Sequence, residues 1–270
     1  MKIELYTITT LSNLHVGSGD INFDVIDNQV QRDNITKLPN INSSSLKGAF
    51  REHFSQEGES NMVKYIFGPD NKENDSHQTG AFSFFEAQLL SRPARSNKLP
   101  YFEVTSPEII KELIEKIETL HIEVSFLEEL KKFYDAIKNI TKTTVFQDFG
   151  RDLMIEDEND IAIKNLSDTF SLFNVENLAV MPFSTFQELD LPVYARNYLE
   201  DGTSKNLWYE EVVPKQSKFY FCIAKPTNVD EKDYAQKIKG FENRFNKEGE
   251  IVQIGANKSI GYGFCKVERV

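Results

Sequence analysis

Only two cysteines occur among the 270 residues, Cys222 and Cys265. They lie far apart, each inside an apolar, strand-like segment, which points to core packing and away from a disulfide framework or a thiolate metal site. No apolar run approaches the ~20 residues needed to cross a bilayer, so neither a membrane span nor a membrane partner is expected. The opening MKIELYTITT alternates polar and apolar residues like a strand and lacks the layout of a signal peptide, so a cytoplasmic protein is expected. Internal repeats and low-complexity tracts are also absent. A basic excess is missing too, and the net charge of −11 argues at first against nucleic acid. That deficit is local. From Glu103 to Asp160 there are 15 acidic residues against 7 basic ones, whereas from Lys232 to Val270 basic residues lead by 8 to 5. An acidic lobe beside a more basic core fits a subunit that keeps RNA to one face, and also fits an ordinary acidic protein.

What the chain does have is aromatic bulk, with 21 Phe, and ample length for a buried core, as one large domain or two small ones. Lys2 to Thr10 predicts a strand and Gly80 to Leu90 a second. Between them, Leu46, Ala49, Phe50 and Phe54 recur at helical spacing over Ser44 to Phe54 and leave Lys47 and Arg51 together on the other face. Ser106-Pro107-Glu108 starts a helix whose stripe is Ile109, Ile110, Leu113, Ile117 and Leu120. Phe126, Leu130, Phe133, Tyr134 and Ile137 predict another. Leu191 to Pro214 reads as two β-rich runs joined at Asp201-Gly202, a hairpin bounded by prolines that projects from the body. Ser217 to Ala224 is a strand and Asp230 to Asn246 a helix with Tyr234, Ile238, Phe241 and Phe245 inward. Ile251 to Ile254 and Phe264 to Glu268 are strands around the loop GANKSIGYG. This order predicts an α+β, ferredoxin-like (RRM-like) sandwich across residues 1–270, with an acidic helical insertion over about 95–180 and the hairpin over 191–214.

The run from Leu14 to Phe54 concentrates the chemistry. Gly17 and Gly19 allow backbone N–H groups to converge on an anion. Serines 43 to 45 start the helix that carries Lys47 and Arg51, a candidate phosphate site whose ordinary alternative is a solvated helix face. Asp27 is the candidate for catalysis. RNA is cut when its own 2′-hydroxyl attacks the adjacent phosphate, so a protein need only align that attack, hold a metal ion or aid proton transfer. Asp24 and Asp33 flank it, and turn capping is the usual task of such aspartates. His15, beside Gly17, is an acid, base or orienting group, or a structural histidine. The terminal loop has Lys258 and Gly261 in a glycine-rich turn without the GKS/T ending of a nucleotide-binding P-loop. In the hairpin, Arg196, Tyr198, Trp208 and Tyr209 are candidates to stack on bases, or else cross-strand packing pairs. Glu210 and Glu211 are either a second acid, base or metal group or a solvated edge.

LHVGSG, VIDNQVQRD, LPNINSSSLKGAFR, NLWYEEVVP and QIGANKSIGYGF, in that order, resemble the signature of the repeated backbone subunit of the type III-B CRISPR effector, the Cmr complex, within the RAMP superfamily. The resemblance spans both ends and the hairpin, while the section from about Arg95 to Val180 carries no such motif. It implies copies stacked in a helical filament along a CRISPR RNA, other subunits of the complex as partners, and a single-stranded target RNA that pairs with the guide and is cut at regular intervals. It also implies Asp27 as catalytic aspartate and metal ligand with a divalent ion, expected to be Mg²⁺. His15 and Glu210 would assist at the cut site. Gly17, Lys47, Arg51, Lys258, Gly261, Arg196 and Trp208 would contact RNA, and the 191–214 hairpin would be a thumb that kinks the guide. Two departures stand out: Asn28 follows Asp27 where the family has an apolar residue, and the thumb turn is short. The alternatives are a non-catalytic structural guide-binding subunit, a nuclease that processes the guide precursor, and an interaction protein without RNA.

Overall fold

Alternation from Lys2 to Thr10 forms strand β1 (Lys2–Thr10) in the computed structural model of the chain, which describes residues 1–19, 25–56, 58, 60–69, 79–166, 170–227, 232–246 and 248–270. β2 (Asn40–Ile41) leads into helix α1 (Ser43–Gln56), and α2 (Ser60–Phe67), for which no sequence signal stood out, follows it. The strand expected over Gly80 to Leu90 is divided into β3 (Ser83–Phe84) and β4 (Ala87–Ala94). Next come β5 (Phe102–Thr105), α3 (Pro107–Thr119), α4 (Leu127–Ile137), β6 (Thr144–Val145), β7 (Ala162–Ile163), β8 (Leu178–Val180) and α5 (Phe183–Gln187). The hairpin is β9 (Val193–Glu200) and β10 (Thr203–Glu211). The chain ends with β11 (Lys218–Lys225), α6 (Lys232–Arg244), β12 (Glu250–Gln253) and β13 (Phe264–Arg269).

The chain divides into two compact units. The first comprises residues 1–88, 191–215 and 219–270. Its strands run in the order β12-β13-β1-β11, with β3 beside β11 and β2 beside the first two residues of β4, Ala87 and Gln88. The apolar stripe of α1 lies against this sheet, with Leu46, Phe50 and Phe54 fully buried. Phe241 and Phe245 from α6 meet the same cluster: Phe54 and Phe241 ring centroids are 5.2 Å apart, Phe50 and Phe245 5.4 Å, and Tyr6 stacks on Phe221 at 5.3 Å. Offset and edge contacts of this kind are what aromatic quadrupoles favour, and each buried ring contributes about 1.5–3 kcal/mol by leaving water. Ile238 is half-buried. The side chain of Tyr234 lies outside the described residues.

A buried cation ties the two halves of this core together. Lys225 at the end of β11 has only 2% of its side chain exposed and bridges Glu4 of β1 and Glu242 of α6. Arg269 of β13 stands 3.7 Å from Glu4 and 3.5 Å from Glu242. Burial alone would raise the Glu4 carboxyl, but the ammonium of Lys225 overrides it and holds the group below its ordinary value.

The second unit comprises residues 89–190 and 216–218. Both helices expected there form, with Ile109, Ile110, Leu113 and Ile117 buried on α3 and Leu130, Phe133 and Ile137 on α4. Ser106 occupies the cap position of α3, but its hydroxyl donates to Glu108 at 2.5 Å and makes no cap bond. The section is not purely helical. β5 pairs with β4 and, in parallel, with β8, which pairs in turn with β6. β5, β6 and β8 are two to four residues long, too short to show a period in the sequence.

Candidate functional site

The hairpin is a two-stranded sheet of its own, turned at Asp201 and Gly202, whose φ values of 49° and 76° are those of a type I′ turn. Direct pairs are Arg196 with Trp208, Tyr194 with Glu210 and Ala195 with Tyr209, and the register shifts between Ser204 and Asn206. Toward its tip the side chains face solvent, Tyr198, Leu199 and Leu207 being 57%, 57% and 55% exposed. At its base the pattern reverses, and Glu210 and Glu211 are buried to 4% and 5%.

These two glutamates organise everything around them. Glu210 Oε2 accepts from Arg196 Nε at 2.8 Å and lies 2.6 Å from Nη2, while Oε1 accepts from Asn257 Nδ2 at 2.7 Å. Glu211 Oε1 pairs with Arg32 Nη2 at 2.6 Å and Oε2 accepts from the Val30 N–H at 3.1 Å. With both oxygens of each carboxylate held by protein groups and both residues buried, neither is a solvated edge.

Asp27 is delivered to this base by its own loop. Asn28 lies parallel to Glu210, its N–H donating to the Tyr209 carbonyl at 3.0 Å and its carbonyl accepting from the Glu211 N–H at 2.9 Å. The Asp27 side chain then turns back, and Oδ2 accepts the Tyr209 N–H at 2.8 Å. Its second oxygen has no hydrogen bond among the described residues, and the side chain is exposed. Because the backbone of Asn28 does the pairing and its side chain faces outward, a polar residue fits where an apolar one was expected.

His15 follows β1 and is 6% exposed. Its Nδ1 lies 2.7 Å from the Glu211 carbonyl oxygen, which can only accept, so Nδ1 carries a proton and the ring turns its Nε2 edge away from Glu211. A side chain at Gly17 would come within 3.4 Å of that Nε2. Gly19 has the positive φ expected of a glycine loop, 77°, but Gly17 does not, and Gly17 instead bridges Val30. Gly17 therefore leaves the imidazole edge uncovered by a side chain.

The terminal loop closes the cluster. Gly255 has a φ of 80°, and a side chain there would stand 2.4 Å from the His15 carbonyl oxygen, which accepts from the Ala256 N–H at 2.9 Å. Only glycine allows that approach. Asn257 adopts the left-handed conformation at φ 65°, and the Tyr262 ring lies under the Arg196 guanidinium at 4.8 Å. Lys258 and Gly261 are exposed on the outer turn.

Asp27, His15, Glu210, Arg196, Trp208 and the loop of Lys258 and Gly261 thus converge on one hairpin base. Lys47 and Arg51 are half-buried on α1, and Lys47 makes no hydrogen bond or ion pair with the described residues. Trp208 is half-buried opposite Arg196. Asp33 is a turn residue: burial would raise its carboxyl, but hydrogen bonds from Thr36 and the Ile35 N–H hold it below its ordinary value. Asp24 lies outside the described residues. Sequence reasoning missed Arg32, Asn257 and the Tyr209 N–H. Their partners are distant in the chain, and the one available signal was a loop asparagine, a residue type that tolerates positive φ.

A resident metal centre does not fit these groups. No three His, Cys, Asp or Glu side chains among the described residues cluster as ligands. What remains is one free oxygen of Asp27, which suits only an ion held mostly by phosphate and water.

A family model described as the RAMP superfamily matches residues 7–266. The CRISPR system Cmr endoribonuclease Cmr4 of Pyrococcus furiosus is 30% identical over 287 aligned residues, which cover 99% of this chain and 95% of that protein. The type III-B Cmr-beta complex bound to cognate target RNA, solved by cryo-electron microscopy, contains a chain with TM-score 0.80 at 21% identity, covering 100% of this chain and 97% of that one. A crystal structure of oligomeric Cmr4 from Pyrococcus furiosus aligns with TM-score 0.72 at 22% identity, over 100% of this chain and 98% of its own.

Proposed function

The chain belongs to the RAMP superfamily, in the family of the type III-B Cmr backbone subunit, and from that membership we propose that it binds a CRISPR RNA as one of several stacked copies and cuts the target RNA paired with that guide. The relative named an endoribonuclease, the relative crystallised as an oligomer and the relative bound to target RNA support the three parts of this reading. A contact repeated head to tail between copies generates an open filament, as tracking a guide requires. Other subunits of the complex are expected partners. No described helix is long and apolar enough to cross a membrane, in keeping with a cytoplasmic complex.

We read the first unit as a ferredoxin-like core. The order β13-β1-β11, with α1 after β1 and α6 after β11, supports it. The exposed aromatic hairpin is suited to act as a thumb that splays the paired strands. That distortion matters because a regular A-form helix disfavours in-line attack by a 2′-hydroxyl. Base pairing would supply sequence specificity, so Lys47, Arg51, Lys258 and Gly261 are assigned to backbone contacts on the guide.

The observation that carries the catalytic assignment is Asp27 itself. One carboxylate oxygen is fixed by the Tyr209 N–H at 2.8 Å and the other is left open at the hairpin base. A group so held is oriented toward a strand that the hairpin distorts, and can align or deprotonate its 2′-hydroxyl. His15, with Nδ1–H locked on Glu211, directs Nε2 past Gly17 to the same region. A divalent ion, Mg²⁺ by preference, would arrive with the RNA and neutralise phosphate charge. The non-catalytic reading is favoured by one fact: a carboxylate that accepts a backbone N–H is also what a plain turn residue looks like. Asp27→Ala in the assembled complex decides, since lost cleavage with retained target binding supports the nuclease and intact cleavage the scaffold.

A further inference from the structure

We propose that Asn257 is a positioning residue, which through the Glu210 carboxylate joins the terminal glycine loop to the hairpin so that guide-side loop and target-side hairpin keep one spacing. The functional half of this proposal rests on the RNA-cleavage reading above, while the mechanical half stands on the protein alone.

The join has two strands. Asn257 Nδ2 donates to Glu210 Oε1 at 2.7 Å, and the same carboxylate receives Arg196 through Oε2 at 2.8 Å and 2.6 Å. Beside it, the Tyr262 ring of the same loop packs on the Arg196 guanidinium at 4.8 Å. Both ends of the loop therefore grip one ion pair that spans β9 and β10. Glu210 is 4% exposed, so an unmade bond there is costly: a buried carboxylate oxygen would lose its donor without gaining water. The backbone agrees with this use of Asn257. Its left-handed φ of 65° is tolerated by asparagine better than by most residues, and its carbonyl accepts from the N–H groups of Ile260 at 3.1 Å and Tyr262 at 3.2 Å. The amide is thus presented by a rigid turn. Arg196 is the charged group that faces Glu210, Tyr194 lies directly opposite it in register, and exposed Lys258 adjoins Asn257.

Asn257→Gly removes the amide and keeps the positive φ, and Asn257→Asp keeps the backbone and sets a second carboxylate against Glu210. In the free protein, hydrogen exchange should quicken by roughly tenfold in both variants, at residues 207–211 as well as in the loop, because the opening is shared. In the reconstituted complex, single-turnover cleavage of guide-paired RNA should fall by roughly tenfold to a hundredfold with target affinity unchanged, the mark of misplacement rather than lost binding. For Asn257→Asp the deficit relative to wild type should shrink on acidification, as one of the two facing carboxyls takes a proton and bonds the other. Adding Glu210→Gln to Asn257→Asp reverses the donor and should restore cleavage to within roughly threefold of wild type. Unchanged exchange in the hairpin overturns the mechanical join. Quickened exchange with undiminished cleavage overturns the positioning role. If the wild-type complex cuts nothing, the nuclease reading fails and the positioning role with it, and exchange alone decides the join.

Discussion

Asp27 Oδ2 accepts the Tyr209 N–H at 2.8 Å, joining a loop near the start of the chain to the second strand of a hairpin 182 residues later. Tyr209 contributes through its backbone, so its side chain, 40% exposed, is left free to face RNA. The same strand edge holds Asn28 and, one residue on, the carbonyl that orients His15. The candidate catalytic groups are therefore registered to the hairpin that would bend the substrate.

Glu211 should matter to cleavage without touching RNA. Glu211→Gln retains an acceptor for Val30 and loses the charge opposite Arg32, which is 2.6 Å away. Cleavage in the assembled complex should drop by about tenfold while complex assembly persists, with Arg32→Ala costing no more on top of it, because coupled residues are non-additive. Additive losses in the double-mutant cycle would show that the two residues act separately.

The buried Lys225 should be the most costly single side chain to truncate in the first unit. Lys225→Ala leaves buried Glu4 and half-buried Glu242 without the cation that bridges them, with only the more distant Arg269 beside both, and about 3–5 kcal/mol of stability should be lost. Chemical denaturation would register it as a lower midpoint at unchanged slope.

The same network sets an acid limit. The folded Glu4 carboxyl sits below its ordinary value of 4.5, because Lys225 outweighs the upward push of burial. A depressed carboxyl contributes stability above its unfolded value, and that contribution disappears as pH falls through the folded value. Thermal stability should therefore decline below about pH 4.5 more steeply in wild type than in Glu4→Gln. Parallel acid profiles would assign the decline to other carboxylates.

Lys47 should act on the guide as a phosphate contact. Lys47→Ala should weaken guide binding regardless of sequence and reduce the magnitude of the salt slope by about 0.7, the value for one contact to a single strand. A slope identical to wild type would return Lys47 to the status of a solvated helix face.

Much of this was legible in the sequence where a local rule applied. The hairpin followed from Asp201-Gly202 between β-rich runs, and α1 from a stripe ending in Phe50 and Phe54, because turn chemistry and helical period are short-range. The roles of Glu210 and Glu211 were not legible. Read locally they are two acids on an outward strand. What buries them are Asn257 and Arg32, 47 and 179 positions away. Asp27 is a candidate from the sequence alone, but what holds it is a backbone N–H, which no residue letter announces. The short strands β6 to β8 escaped notice because pairing, not periodicity, defines them.

The most direct measurement is target-RNA cleavage by the reconstituted complex carrying Asp27→Asn in every copy. The amide keeps the acceptor for the Tyr209 N–H while removing the charge and the basicity of the open oxygen. Regularly spaced products should vanish, a loss of at least about a hundredfold, with guide and target binding at wild-type affinity. Cleavage at the wild-type rate would contradict the assignment and leave Asp27 a strut at the foot of the hairpin.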